Sequence, residues 1–381
     1  MWQVFLFLAM KKSLLLLGGV LLFGSCQVLQ QEGLKDRFKA DFYVGTAVNL
    51  GQVTGKEAGA DSVLNLHFSS ITAENGLKWG PVHPKEGEYA FEYGDAFVAL
   101  GEKMEAFLVG HTLVWHQQTP AWVFQNGDGQ FLNKSELIRR MEDHISTVMG
   151  RYKGRIDGWD VVNEAFEDDG SWRKTHWYTI TGTEFIKAAF VKAQEADPNA
   201  ELYYNDYNVW KPEKRKSILA MAKALREQGV RIDGIGMQGH YRLASPSLEL
   251  IEQAILDIHE AGFQVMVTEL DVDVLPRPSD TEGADLNLNY AESPKWNPYA
   301  DSLPQEIEKQ LVDRYVSLFQ LFQKHSDKIS RVTFWGLHDG KSWLNNWPVR
   351  GRTNYPLIFD REMRLKEGFW SAMDSKKDAK Q

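Results

Sequence analysis

The chain has 381 residues, 43% of them hydrophobic and 25% charged, with a formal charge of −9. These proportions belong to a folded globular protein and exclude disordered, collagen-like and low-complexity classes. No basic run interrupts the acidic excess, which argues against nucleic-acid binding. A single cysteine leaves no disulfide within the chain, and a chain of this size needs none because it buries roughly 75% of its extended surface. Aromatic residues make up 12%, with 13 Trp among them. They supply either an aromatic-rich core or a groove that stacks on flat apolar faces.

The amino end reads as an export signal. Lys11 and Lys12 precede the apolar run Leu14 to Phe23, then Gly24, Ser25 and Cys26, which is the order of a secretory signal. The run falls short of the about 20 residues that span a bilayer. Met10 is a more natural start than Met1, since residues 1–9 add apolar length without positive charge. Cys26 sits where a bacterial lipoprotein signal carries its lipidated residue, although Phe23 stands where Leu is usual. Two acyl chains there would anchor the protein at the cell envelope. A plain signal with an incidental cysteine, giving a secreted or periplasmic protein, is the alternative. No other membrane attachment is expected.

From about Lys35 onward, strand signals alternate with helices and no Pro/Ser linker divides them. The strands are Phe42–Val48, Val63–Ile71, Phe107–Val114, Ile156–Val162, Glu201–Tyr204, Gly234–Met237, Gln264–Val267 and Val332–Trp335. Ser135–Tyr152 puts Leu137, Met141, Ile145 and Val148 on one helical face, with Asn133 as cap. Further helices start at Pro212, after Ser247 and at Pro304; the first two stop at Gly229 and Gly262. This alternation predicts an α/β fold, a closed (β/α)8 TIM barrel in one domain over residues 27–374, after a signal at 1–26 and before a tail at 375–381. An open doubly wound sheet would need a Gly-rich phosphate loop, which Gly45 and Gly51 do not form, so nucleotide binding drops out. Leu275–Leu303, with Pro276, Pro278, Pro294 and Pro298, lacks periodicity and reads as a loop inserted after the seventh strand.

In such a barrel the chemistry sits at the carboxyl ends of the strands. Those ends carry Asn49; Glu74, Asn75, Lys78 and Trp79; His111, Trp115, His116 and Gln118; Asn163 and Glu164; Asn205, Asp206 and Tyr207; Gln238 and His240; Glu269 and Asp271; and Trp335, His338 and Asp339. A purely structural barrel has no need of that polar series. Glu164 and Glu269 each end an apolar strand, on strands four and seven, across the barrel from one another. A carboxyl pair flanking one bond performs glycoside hydrolysis: one protonates the leaving oxygen while the other attacks the anomeric carbon or activates water. Strand alternation puts Asp271 on the side of Glu269, and His240 with Gln238 on the adjacent strand. A histidine between two carboxylates keeps the nucleophile ionised while its partner carries the proton. Asn163 is placed to bond a sugar hydroxyl beside the reacting carbon.

Each carboxylate alone reads more readily as a surface ion-pair partner than as a catalytic group. His111, His116, His240 and Asp339 offer metal-ligating side chains, but the neighbouring Trp and Gln suit sugar better. No metal and no cofactor are expected. Trp115, Trp335 and Trp343 taken singly could be core, while Trp296 and Trp347 lie in loops and are expected at the surface or cleft edge.

Taken together, Trp159-Asp-Val-Val-Asn-Glu-Ala165, Thr268-Glu-Leu-Asp271, Gly110-His-Thr-Leu-Val-Trp-His116, Thr72-Ala-Glu-Asn75 with Lys78, Tyr204-Asn-Asp-Tyr-Asn208, Gln238-Gly-His240 and Phe334-Trp-Gly336 resemble the family 10 glycoside hydrolases, the endo-β-1,4-xylanases. The resemblance spans roughly Leu34 to Met373. It implies a (β/α)8 barrel and hydrolysis of internal xylosidic bonds with retention of configuration, Glu164 as acid/base and Glu269 as nucleophile. By the same match Glu74, Asn75, Lys78, His111, Trp115 and Gln118 are glycone-side sugar contacts, Asn205 and Tyr207 build the other side of the cleft, and Gln238 joins them as a substrate contact. Trp335 and Trp343 resemble aromatic walls that disfavour a hydroxymethyl group, so xylan and its oligosaccharides are preferred over cellulose. The expected protein acts as a monomer. The 275–303 insertion departs from compact family members and puts the shape of one cleft wall in doubt. A β-glucanase or mixed β-1,4-glycanase on the same barrel is the competing enzyme. A non-catalytic glycan-binding lipoprotein is the competing class, though binding alone would not require both carboxylates with the His240–Asp271 support.

Overall fold

In the computed structural model residues 32–278 and 289–378 are described. The expected signal with Cys26, the middle of the 275–303 insertion and the last three residues lie outside them. Eight strands form the centre: β1 (Tyr43–Val48), β2 (Ser70–Ala73), β3 (Phe107–Val114), β4 (Gly158–Asn163), β5 (Glu201–Asp206), β6 (Gly234–Met237), β7 (Gln264–Asp273) and β8 (Ile329–Phe334). Each pairs in parallel with the next, and β8 returns to β1, so the sheet closes into the expected (β/α)8 barrel with no free edge. A short strand, His240–Arg242, lies outside the ring against the far end of β7.

The strands are apolar because both faces are covered: all six residues of β4 are buried, as are Val44 to Val48 of β1. At the floor of the barrel the Tyr203 ring fills the space a side chain at residue 158 would take. A Cβ on Gly158 would come within 2.6 Å of it. The helices follow their sequence signals. Lys134–Arg151 starts at Asn133, whose side chain accepts from Glu136 N at 3.0 Å while the Glu136 carboxylate takes the Asn133 N–H at 3.1 Å. Pro212–Glu227, Leu248–Glu260 and Gln305–Lys324 form as predicted.

Strand ends shift by up to three residues, as in β8, which starts at Ile329 rather than Val332, and three segments differ more. Val63–Ile71 is not one strand: Ala60–His67 is a helix and only Ser70–Ala73 is β2. Ala60, Leu64 and His67, spaced four and three apart, make its buried face, a helical period hidden by the apolar density of the segment. Strand β7 runs on past Val267 to Asp273 and is buried throughout after Gln264; its buried Glu and Asp residues masked that extension. The last helix, Phe369–Asp378, runs past Asp374 into the segment read as a tail.

The described parts of the insertion are tied to the barrel. Tyr290 N donates to Pro348 O at 2.9 Å, Asn297 Oδ1 accepts from Thr353 N at 3.0 Å, and Tyr299 O accepts from Tyr355 Oη at 3.0 Å. Among the described residues no helix is long and apolar enough to cross a membrane.

Candidate active site

Strand β4 delivers Glu164 to the barrel mouth. Its N–H still donates to Asn205 O at 2.9 Å, but its φ is +59°. A left-handed conformation in a residue other than glycine is uncommon and gathers at functional sites. The turn sends the carboxyl into the cleft, where Oε2 accepts from Trp115 Nε1 at 2.8 Å and Oε1 accepts from Gln238 Nε2 at 2.9 Å and Asn163 Nδ2 at 3.2 Å. These three donors are neutral.

Glu269, on β7, is held differently. Oε1 accepts from Asn205 Nδ2 at 2.7 Å, and Oε2 stands 3.2 Å from His240 Nε2. The other ring nitrogen of His240 is 3.0 Å from Asp271 Oδ2, which also accepts from Trp343 Nε1 at 2.8 Å. Between the carboxyls runs a bridge of amides: Asn205 Nδ2 and Gln238 Nε2 both donate to Asn163 Oδ1, at 3.1 and 3.3 Å. Asn205 is oriented in turn by Thr268 Oγ1, 2.6 Å from its Oδ1. Glu164 and Glu269 are each 4% exposed, so water contributes little to either.

These surroundings set the charges. Burial alone would raise the Glu269 carboxyl, but the His240 hydrogen bond and the fields of His111, His240 and Lys78 outweigh it and hold Glu269 below the ordinary glutamate value. Burial pulls His240 down, but its two carboxylate neighbours, Asp271 first, push it up to about 10. Burial lowers Lys78 against the pull of Glu269, Glu74 and Glu164. Burial raises Glu74, with Lys78 and Asn75 opposing.

Nine of the expected sugar contacts, Glu74, Asn75, Lys78, His111, Trp115, Gln118, Gln238, Trp335 and Trp343, line one pocket of about 150 Å³ with Asn163, Glu164, His240 and Glu269. Lys78 Nζ donates to Asn75 Oδ1 at 2.8 Å and lies 5.0 Å from the Trp115 ring centre and 5.7 Å from that of Trp335. His111 Nδ1 faces Asp160 Oδ2 at 2.8 Å. A larger hollow, about 820 Å³, shares Glu74 and Asn75 with this pocket and continues past Asn49, Lys56, Tyr93 and Lys341. The cleft therefore extends beyond the carboxylates on that side.

Three expectations need correction. Asn205 and Tyr207 stand behind the cleft surface. Asn205 is fully buried beneath Glu269, and the buried Tyr207 hydroxyl meets Arg173 while Lys214 Nζ lies 3.7 Å from its ring centre. Both ride the far end of β5 or just past it, where a strand-end position does not reveal which way the side chain turns. Trp347 is buried rather than marginal: it stacks on Trp343 at 4.7 Å and is covered by the Arg277 guanidinium at 4.6 Å. Trp296 remains partly exposed in its loop.

Three of the four side chains weighed as metal ligands have separate partners. His111 pairs with Asp160, His240 lies between Glu269 and Asp271, and Asp339 pairs with Lys366. Sequence reasoning passed over Asp160 and Arg173. Asp160 lies four residues before Glu164 on β4, and its buried side chain could have been read from strand alternation. Arg173, in a loop, donates from Nε to the Glu164 carbonyl at 3.1 Å, and no local pattern announces that.

Two dissimilar buried carboxyls joined by amides and walled by tryptophan, at the carboxyl mouth of a (β/α)8 barrel, define a glycoside hydrolase. The chain belongs to glycosyl hydrolase family 10, whose sequence profile matches residues 33–375. It is 42% identical to endo-1,4-beta-xylanase A of Xylanibacter ruminicola, over 91% of this chain and 95% of that protein. Identity to the endo-1,4-beta-xylanase of Geobacillus stearothermophilus is 41%, over 90% and 98% of the two chains. Among solved structures, a GH10 endoxylanase retrieved from a sugarcane soil metagenome superposes with a TM-score of 0.87 at 45% identity, covering 90% of this chain and all of that one. A mutant solved in complex with xylotriose superposes with a TM-score of 0.80 at 34% identity, covering 90% of this chain and 100% of that one.

Proposed function

We propose that the protein is an endo-β-1,4-xylanase working by retaining double displacement, with Glu164 as acid/base and Glu269 as nucleophile. The observation that carries this reading is the different partnering of two buried carboxyls in one pocket: Glu269 stands against His240, itself paired with Asp271, while Glu164 accepts from the neutral groups of Trp115, Gln238 and Asn163. Its relatives named endo-1,4-beta-xylanases point to the same substrate.

Glu269 attacks the anomeric carbon as Glu164 protonates the departing glycosidic oxygen, giving a glycosyl-enzyme ester. Glu164, now a carboxylate, then takes a proton from water as that water attacks the same carbon and frees Glu269. A retaining pair requires the carboxyls about 5–5.5 Å apart. Asn163 bonds the neighbouring sugar hydroxyl as charge develops. Glu74, Asn75 and Lys78 hold the glycone sugars, and the bulk of Trp335 and Trp343 in the wall of the same pocket disfavours a hydroxymethyl group. The reading extends to export through the 1–26 segment, with lipidation at Cys26 anchoring the protein to the cell envelope.

The test is a time course of products from soluble glucuronoxylan with signal-free protein. A spread of oligosaccharides from the first minutes is the expected result. No product from xylan, with turnover of an unsubstituted β-glucan, would replace this reading by a β-glucanase.

A further inference from the structure

Behind the cleft, one peptide group is gripped from both sides by buried side chains. It is the unit linking Glu164 to Ala165. Its carbonyl accepts from Arg173 Nε at 3.1 Å, and its N–H donates to the Tyr204 hydroxyl at 2.9 Å. Tyr204 is on β5, 39 residues along the chain, and fully buried. Its own proton goes to Asp206 Oδ2 at 2.6 Å, and Asp206 Oδ1 lies 2.8 Å from Lys214 Nζ, with both side chains fully buried. The Tyr204 oxygen thus turns a lone pair toward Ala165 because its hydrogen is committed to a carboxylate that Lys214 fixes.

The peptide it holds sets the direction of Glu164. That residue has φ of +59°, a conformation uncommon in a residue other than glycine that persists only where the surroundings impose it. With φ unfavourable and ψ defined by this one peptide, the two buried hydrogen bonds determine where the Glu164 side chain leaves the backbone. We infer that Tyr204, backed by Asp206 and Lys214 and joined by Arg173, is a positioning residue for the acid/base carboxyl. This rests on the assignment of Glu164 proposed above. Tyr204 touches no substrate, and it acts through the backbone of the residue that does.

Leaving-group dependence provides the test. Departure of a sugar from xylan needs proton donation, whereas departure of 2,4-dinitrophenolate from its β-xylobioside does not. kcat/KM reports the bond-breaking step for both. In Tyr204→Phe, kcat/KM on xylo-oligosaccharides should fall about 10- to 100-fold, part of the about 100- to 10,000-fold that general acid catalysis supplies. On the dinitrophenyl substrate it should stay within about threefold. Equal losses on the two substrates, or no loss on either, would overturn the inference, because general damage to the site slows both. If Tyr204→Phe does not fold, Arg173→Lys loosens the other grip on the same peptide and is judged by the same comparison. Wild-type protein inactive on both substrates would instead overturn the hydrolase reading itself.

Discussion

Replacing His240 by glutamine should slow the enzyme and move the acid side of its pH profile upward. His240 stands 3.2 Å from Glu269 and 3.0 Å from Asp271, and its side chain is 4% exposed. Glutamine is neutral and its single amide can donate to one of those carboxylates but not satisfy both as a cation. A hydrogen bond to a charged partner is worth about 1.5–3 kcal/mol, so kcat/KM should drop about 10- to 150-fold. The pH direction follows from the balance at Glu269. Burial raises that carboxyl, and the bond to His240, with the fields of His111, His240 and Lys78, brings it below the ordinary value. In the proposed mechanism only the ionised carboxylate attacks, so activity should fall as pH drops through that value. Without the His240 charge burial prevails, and the fall begins at higher pH. The assay is kcat/KM against pH on an aryl β-xylobioside, with a thermal melt to establish folding. An acid limb that stays in place or moves lower would refute this account of how Glu269 is kept ionised.

Stability should also depend on His240. Its pKa rises from 6.5 to about 10 on folding, so its contribution is complete below the unfolded value and is lost as pH rises through the folded one. The wild-type urea midpoint should fall between pH 6.5 and about 10, and His240→Gln should flatten that fall; an equal slope in both proteins would contradict the linkage. Past the end of β8, Lys366→Met leaves the fully buried Asp339 without the ammonium it pairs with. Breaking such a pair costs about 3–5 kcal/mol; denaturant melts that register less than about 1 kcal/mol would mean Asp339 is satisfied by its Leu357 N–H bond alone.

Much of the site could be read because strand and function share a signal. An apolar run of the barrel wall that ends in Asn163-Glu164 or in Glu269 gives both the element and its chemical end. The His240–Asp271 support was legible for the same reason, since alternation on neighbouring strands settles which side chains meet. What escaped depends on contacts remote in sequence or on direction rather than position. Asn205 and Tyr207 follow the same strand as expected, yet one lies under Glu269 and the other against Arg173. Trp347 looks like a loop residue until Arg277, from the root of the insertion, is seen to cover it. The helix Ala60–His67 was hidden because Val63, Leu64 and Leu66 crowd apolar side chains into a window too short for a strand and a helix to be told apart. Tyr204 reaches Ala165 only because β4 and β5 are neighbours in the closed sheet.

The central claim is that Glu269 forms a covalent bond to the sugar while Glu164 handles protons. The most direct measurement is intact-mass and peptide analysis after treatment with 2,4-dinitrophenyl 2-deoxy-2-fluoro-β-xylobioside, whose fluorine slows turnover of a glycosyl-enzyme. The account predicts a stoichiometric adduct on the peptide containing Glu269, carried by that residue. An adduct on Glu164, or prompt release of dinitrophenol with no adduct on any carboxylate, would contradict it.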